Sequence, residues 1–222
     1  MATQTEENYL KAIYHLSASN NGMVYTNDIA GSLCTTAASV TDMLRKLSDK
    51  SLLKYERYKG VRITRKGEKI ALNIIRKHRL WEVFLTEYLN FKWDEVHTMA
   101  EELEHVSSDE LIERLDKLLN HPKFDPHGDP IPDVNGKVAE QKFIVLSLLA
   151  EQQTGIIAGV AEHSPDFLQY LEKTGFQLGV QFKIIAIHKF DRSMDVQLGK
   201  KHVHISFDIA KNILTRNQHD KK

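Results

Sequence analysis

The stretch Leu52-Leu53-Lys54-Tyr55-Glu56-Arg57-Tyr58-Lys59-Gly60-Val61-Arg62-Ile63-Thr64 decides how the first part of the chain folds. Strand-forming residues flank Lys59-Gly60, so it reads as a two-stranded hairpin, or wing. Upstream, Tyr9, Leu10, Ile13, Tyr14 and Leu16 have helical spacing over 6–17. A short helix is expected over 27–33 with Thr26 as its cap, and another over 37–50 after Cys34-Thr35. In the latter, Val40, Leu44 and Leu47 share one side, leaving Ser39, Thr41, Asp42, Arg45 and Lys46 on others. Three helices and a hairpin make a winged helix-turn-helix, which enters a major groove and holds the flanking phosphates. A small helical domain with an ordinary hairpin would look similar, but Lys54, Arg57, Lys59 and Arg62 in the wing favour nucleic acid.

Downstream, Thr64 can cap a long helix running through Ile70, Ile74, His78, Trp81 and Leu85 to about residue 89. Further helices are expected over 93–107 and, starting at Ser108, through 119. Broad apolar stripes and short connections suit a helical dimerisation unit, which would set two recognition helices on successive turns of a duplex. Pro122, Pro126, Pro130 and Pro132 end the helical region, and 128–137 reads as a mobile linker. Beyond it, 155–161, 181–188, 194–198 and 202–206 read as strands. A helix capped by Ser164, opened by Pro165 and stopped by Gly175 interrupts them. The expected fold is mainly α with a small β domain: winged helix over 1–65, helical domain over 66–138, and a barrel of the SH3 type over 139–222.

The net charge of zero conceals a division. Residues 1–80 carry 14 Lys/Arg against 7 Asp/Glu, and residues 81–140 carry 5 against 15. A basic segment followed by an acidic one suggests an anionic polymer and a cation as partners, although a solvated acidic helix has the same composition. No apolar run approaches the roughly 20 residues of a membrane helix, and Met1 to Glu7 lacks the pattern of a signal peptide. A membrane partner is therefore not expected. The single cysteine, Cys34, excludes an intramolecular disulfide, suits a reducing cytoplasm and is expected as a buried structural thiol. Any metal site must then use oxygen and nitrogen ligands.

The segment His97-Thr98-Met99-Ala100-Glu101-Glu102-Leu103-Glu104-His105 is dense in such ligands. On a helix turning about 100° per residue, positions 97, 101, 104 and 105 share an arc about 100° wide. Burying these groups together is costly unless a divalent cation compensates them, and the donors suit Mn²⁺, Fe²⁺, Co²⁺, Ni²⁺ or Zn²⁺. An exposed acidic face with capping histidines is the other reading. His78 and Glu82, at i and i+4, present a second pair. Asp125 and His127 stand in the Pro-rich segment, on backbone able to turn back toward the helices. No hydrolase signature, phosphate-binding Gly loop or nucleophile elbow is present, so an enzyme is not expected.

Glu7-Asn8-Tyr9-Leu10-Lys11-Ala12-Ile13-Tyr14, Arg76-Lys77-His78-Arg79-Leu80, Glu104-His105-Val106-Ser107 and Asp125-Pro126-His127-Gly128 together resemble the diphtheria-toxin-repressor/manganese-transport-regulator (DtxR/MntR) family. The resemblance covers the whole chain and implies a homodimeric repressor that binds palindromic double-stranded operator DNA when loaded with Mn²⁺ or Fe²⁺, controlling metal homeostasis. It implies an activating metal site of Asn8, Glu101, Glu104 and His105. It also implies an ancillary site of His78, Glu82 and His97, with Asp125 and His127 and, from a FeoA-like C-terminal domain, His163 and Asp166. Thr36, Ala38, Ser39 and Asp42 would face base edges, and Thr35, Arg57 and Lys59 would hold phosphates.

Asn8 stands where iron-responsive relatives have Met and manganese-responsive ones Asp. Glu101 replaces a Cys often found in iron-responsive members, which favours Mn²⁺. Lys11 replaces a carboxylate of the short manganese regulators, which favours two separate mononuclear sites. A winged-helix regulator with purely structural metals is the alternative; without metal it would lose its fold together with its DNA binding.

Overall fold

The computed structural model describes residues 2–19, 22–56, 60–106, 108–139 and 143–217; Arg57 and Lys59, expected to hold phosphates, lie outside them. The first helix, α1 (Gln4–Ser19), begins two residues before its apolar spacing suggests. Thr3 Oγ1 accepts from Glu6 N at 3.3 Å and Glu6 Oε2 accepts from Thr3 N at 3.1 Å, so a reciprocal capping box starts it. In α2 (Thr26–Ser32) the expected cap, Thr26, is instead the first helical residue, and Tyr25 occupies the cap position with no side-chain bond. Val24 explains the difference. It exchanges two backbone hydrogen bonds with Val61, at 3.0 and 2.8 Å, so the chain is extended up to Tyr25 and helical immediately after it.

Thr36 caps α3 (Ala37–Asp49) by accepting from Ser39 N at 3.2 Å, and Val40, Leu44 and Leu47 are fully buried. Burying three such side chains contributes about 1.5–3 kcal/mol each, enough to fix which side of α3 faces outward. Cys34, expected to be buried, is exposed: the backbone turns left-handed there (φ 48°) between α2 and α3. Strands β1 (Leu53–Glu56) and β2 (Gly60–Ile63) form the wing, pairing Leu53 with Ile63 through Glu56 with Gly60. Gly60 has φ 102°, and a Cβ there would stand 2.8 Å from the Val24 carbonyl, so the wing closes on the extended segment before α2 only with glycine.

Thr64 Oγ1 accepts from Gly67 N at 3.2 Å and opens α4 (Arg65–Leu89). Helix α5 (Val96–Leu103) is shorter than the expected 93–107. Before it, Lys92 and Glu95 close a turn on each other, and Trp93 is committed to a neighbouring apolar core. After it, Val106 N bonds back to Leu103 O while Lys77 Nζ takes the Val106 carbonyl at 2.9 Å, leaving Glu104 and His105 in a turn. Helix α6 (Asp109–Leu118) follows, capped by Ser108. The expected mobile linker is a tied segment. Arg79 donates to the Pro130 carbonyl, Arg76 donates to Pro132 O at 2.9 Å, Asp133 Oδ1 accepts from Asn135 N and Lys137 N, and Ile131 is buried.

The C-terminal part contains β3 (Ile144–Val145), β4 (Thr154–Val160), α7 (Pro165–Thr174), β5 (Gln181–Ile187), β6 (Met194–Leu198), β7 (Lys201–Ile205), α8 (Phe207–Ala210) and β8 (Ile213–Arg216). Among the described residues the sheet has six antiparallel strands in the order β3-β8-β4-β5-β6-β7. Ser164 holds the cap position of α7 without a side-chain bond, and Gly175 ends the helix at φ 94°. Ile157, Leu168, Leu171, Phe176, Ile184 and Val196 lead the core between helix and sheet.

The contacts divide the chain into two compact units: Met1–His78 with Glu101–Ile112 and Pro132–Val138, and Arg79–Ala100 with Glu113–Ile131 and Ala139–Lys222. Among the described residues no helix is long and apolar enough to cross a membrane.

Candidate metal centre

In the first unit, α1 and the segment after α5 bring ionisable groups together. Glu104 is fully buried, and its Oε2 lies 2.6 Å from both Lys11 Nζ and His78 Nδ1. Lys11 also reaches Glu101 Oε1 at 2.8 Å, so one ammonium bridges two carboxylates. The other oxygen, Glu104 Oε1, is 3.7 Å from His105 Nε2, and His105 Nδ1 is 2.8 Å from Glu7 Oε2. Two buried oxygens of the expected activating set, Asn8 Oδ1 and Glu104 Oε1, have no hydrogen-bond partner among the described residues. A buried acceptor without a donor costs about 1–3 kcal/mol, more if charged, and a coordinated divalent cation is one way to remove that cost. The residues therefore fit a hard ion held by oxygen and imidazole. Glu7 and Lys11 are part of this cluster but not of the expected ligand set; His78, expected in the ancillary set, offers its ligand atom within 4.8 Å of those of Glu101 and Glu104, whereas the expected ligand His105 is paired with Glu7.

The second unit holds another cluster. Glu82, Asp125 and His127 are all buried and offer ligand atoms within 4.8 Å of one another. Glu82 Oε2 is 3.7 Å from His127 Nδ1, and Glu82 Oε1 is 3.6 Å from His97 Nδ1. His127 Nε2 donates to the Trp93 carbonyl at 2.8 Å and the two rings stack, which fixes the imidazole and aims Nδ1 at Glu82. Asp125 Oδ1 accepts from the backbone of His127 and Asp129, while its Oδ2 faces Arg79 Nε at 3.5 Å.

Burial, then the charges of Glu82 and Asp129, push the Asp125 carboxyl up to about 7. Burial opposes charge on His127, but the facing Glu82 carboxylate and Asp125 outweigh it and lift the imidazole to about 9. Mutually perturbed, buried groups of this kind are what a cation-binding site presents. His163 meets the His127 ring edge-on at 5.1 Å and lies 3.9 Å from Asp129, with desolvation holding its imidazole below the ordinary value. Asp166 is exposed in the first turn of α7 and belongs to none of the ligand clusters among the described residues.

Gly128 sets the position of this loop. It has φ 89°, and a Cβ there would collide with the Ala158 carbonyl and Gly159 on β4. Val160 N donates to His127 O at 3.0 Å, so the loop that carries Asp125 and His127 is fastened to the sheet through backbone.

Three family descriptions match in succession: "Iron dependent repressor, N-terminal DNA binding domain" over residues 1–61, "Iron dependent repressor, metal binding and dimerisation domain" over 64–133, and "FeoA domain" over 144–217. A solved manganese-dependent transcriptional repressor in complex with manganese is 31% identical, with a TM-score of 0.83 over 96% of this chain and 99% of that one. The chain belongs to the DtxR/MntR family of metal-dependent repressors. Among curated members, the iron-dependent repressor IdeR of Mycobacterium tuberculosis is 34% identical over 128 residues. That match spans 58% of this chain and about half (55%) of IdeR. The transcriptional regulator MntR of Lysinibacillus sphaericus is 34% identical over 119 residues, which cover 54% of this chain and 84% of MntR. These DtxR/MntR relatives are transcriptional regulators, not enzymes.

On the DNA-binding side of this DtxR/MntR chain, Thr36, Ala38, Ser39 and Asp42 are exposed at the start of α3, and Thr35 is half-buried before it. Asp42 is 3.5 Å from Arg45 across one turn. Lys54 and Arg62 are exposed on the wing.

Proposed function

We propose that this chain is a cytoplasmic repressor that binds palindromic operator DNA as a homodimer when loaded with Mn²⁺, and so controls the cell's metal supply. The observation that carries the reading is the buried cluster linking α1 to the turn after α5. Asn8 and Lys11 belong to the same winged-helix unit as α3, and Glu101, Glu104 and His105 to the segment it must be locked against. Asn8, Glu101, Glu104 and His105 would hold the ion, with Glu7 orienting His105 from behind. The ion would supply the positive charge that three oxygens and an imidazole need at one point. With α1 held there, α3 keeps one orientation for the major groove, and Thr36, Ala38, Ser39 and Asp42 face the base edges. Regulation of this kind requires that the ion favour the DNA-competent arrangement over the other.

Glu82, Asp125 and His127, with His97 and His163 around them, would hold a second ion. Both donor sets are rich in carboxylate and lack a thiolate, which favours Mn²⁺ over softer ions and leaves Fe²⁺ as the second choice.

Selection from a pool of random duplexes at buffered Mn²⁺, followed by fluorescence anisotropy of the winning palindrome, tests this. Binding should vanish with chelator and in Glu104→Gln/His105→Ala, while circular dichroism remains that of the folded protein. Binding that survives both treatments, or loss of fold on chelation, would refute it.

A further inference from the structure

The C-terminal sheet carries a third group of ligand atoms, remote in sequence from those already described. His188, Asp195 and His204 present one atom each within 4.8 Å of the others. His188 Nε2 lies 2.9 Å from Asp195 Oδ2, and His204 Nδ1 lies 2.8 Å from Asp195 Oδ1, with the two rings 5.3 Å apart. Asp195 and His204 are direct cross-strand neighbours on β6 and β7.

His188 reaches the same face only because β5 is irregular. Ile184 opposes Val196 on the buried side, but the register slips by one residue, so that Ala186 rather than Ile185 opposes Asp195. The pairing continues through Ile187 opposite Met194 to His188, whose N–H donates to Ser193 O at 2.9 Å. Since side chains alternate along a strand, a regular β5 would give His188 the parity of Ile184 and turn it to the core. The bulge turns it outward onto Asp195. Arg192, in the turn between β5 and β6, is held over the Phe207 ring at 3.9 Å.

We propose that His188, Asp195 and His204 form a third divalent-metal site. Its two imidazoles and one carboxylate select an imidazole-preferring ion such as Zn²⁺, Ni²⁺, Co²⁺ or Cu²⁺ over Mn²⁺. A tetrahedral ion about 2.0–2.2 Å from each ligand needs one atom of each residue roughly 3.4 Å from the others, and the three ligand atoms already lie within 4.8 Å of one another, so side-chain rotation is what closes them on the ion. All three side chains are partly exposed, which leaves the remaining coordination positions to water. The site is assembled entirely within the C-terminal sheet, so it does not depend on the two centres above.

The test uses the full-length protein, with Zn²⁺ as probe and carbethoxylation of individual histidines read by peptide mass mapping. Near-stoichiometric Zn²⁺ should protect His188 and His204 together. Asp195→Asn should abolish that protection, and His204→Ala should bind one zinc equivalent fewer than the parent chain. Equal reactivity of both rings with and without Zn²⁺, protection that survives Asp195→Asn, or an unchanged zinc count in His204→Ala overturns the proposal. Because these side chains lie on the outer face of the sheet, circular dichroism of each variant should match the parent. Glu104→Gln should retain the protection, which separates failure of this site from failure of the switch.

Discussion

Replacing Lys11 by Met should weaken the metal-free protein and strengthen its grip on Mn²⁺. The Lys11 ammonium sits 2.6 Å from the fully buried Glu104 and 2.8 Å from Glu101, where a bound ion would place its charge. Removing one partner of a buried pair costs about 3–5 kcal/mol. His78 remains 2.6 Å from the same Glu104 oxygen, and Glu101 is partly exposed, so about 3 kcal/mol is expected for the metal-free state. The loaded state loses little, because the ion neutralises the same carboxylates. The difference should therefore appear as tighter binding, and at 1.4 kcal/mol per tenfold it amounts to about two decades. Urea unfolding of chelated protein gives the first quantity, and titration calorimetry with Mn²⁺ gives the second. A Lys11→Met protein that is as stable as its parent without metal, and binds Mn²⁺ no more tightly, would refute the account of Lys11 as a tethered substitute for the ion.

Other outcomes follow from the same geometry. Gly128→Ala forces an L side chain to φ 89° and into the β4 backbone, so it should destabilise the fold by more than about 1 kcal/mol in thermal unfolding. Glu82→Gln should remove one metal equivalent per chain, measured by dialysis and elemental analysis; an unchanged count would show that Glu82, Asp125 and His127 do not form a centre. Lys50, bonded to Glu6 at 2.6 Å, holds the Glu6 carboxyl below its ordinary 4.5. A depressed folded-state value gives stability that is present above pH 4.5 and lost as pH falls through the folded value. Urea midpoints measured from pH 7 down to 3 should therefore fall further for the parent than for Lys50→Met. Ser39→Ala, on the exposed side of α3, should change operator preference in a duplex selection and leave the unfolding free energy within about 0.5 kcal/mol of the parent.

The helices were legible because their apolar residues recur with period 3.6, and Val40, Leu44 and Leu47 leave little choice of buried face. The start of α1 was also written locally, in Thr3 and Glu6, but that pair lies outside the apolar pattern and is visible only as a cap. The shortening of α5 was not legible: Trp93 and Val106 are drawn away by partners distant in sequence, and helical periodicity says nothing about such competition. Lys11 shows the same limit. Its bonds to Glu101 and Glu104 span about ninety residues, and a lysine on a helix otherwise reads as solvated. Asp125 and His127 were visible as ligand types, but their burial depends on Gly128 seating the loop against β4. The outward turn of His188 depends on a bulge that alternation alone would not suggest. Strand β8 was missed because four residues, Ile213 to Arg216, carry too little alternation to stand out near a polar chain end.

The hydrogen bond from His127 to the carbonyl of residue 93 has a consequence for genetics. Its acceptor is main chain, so it is the same in every allele, whatever side chain stands at position 93. Substitutions of Trp93 will report on the stacked ring and on its place in the apolar core, and will leave the orienting bond in place. A mutational scan would therefore rank position 93 as a packing residue and overlook its role in orienting His127. The bond becomes visible by replacing the peptide itself, for instance with an ester between residues 93 and 94, which weakens the acceptor and leaves the side chains in place.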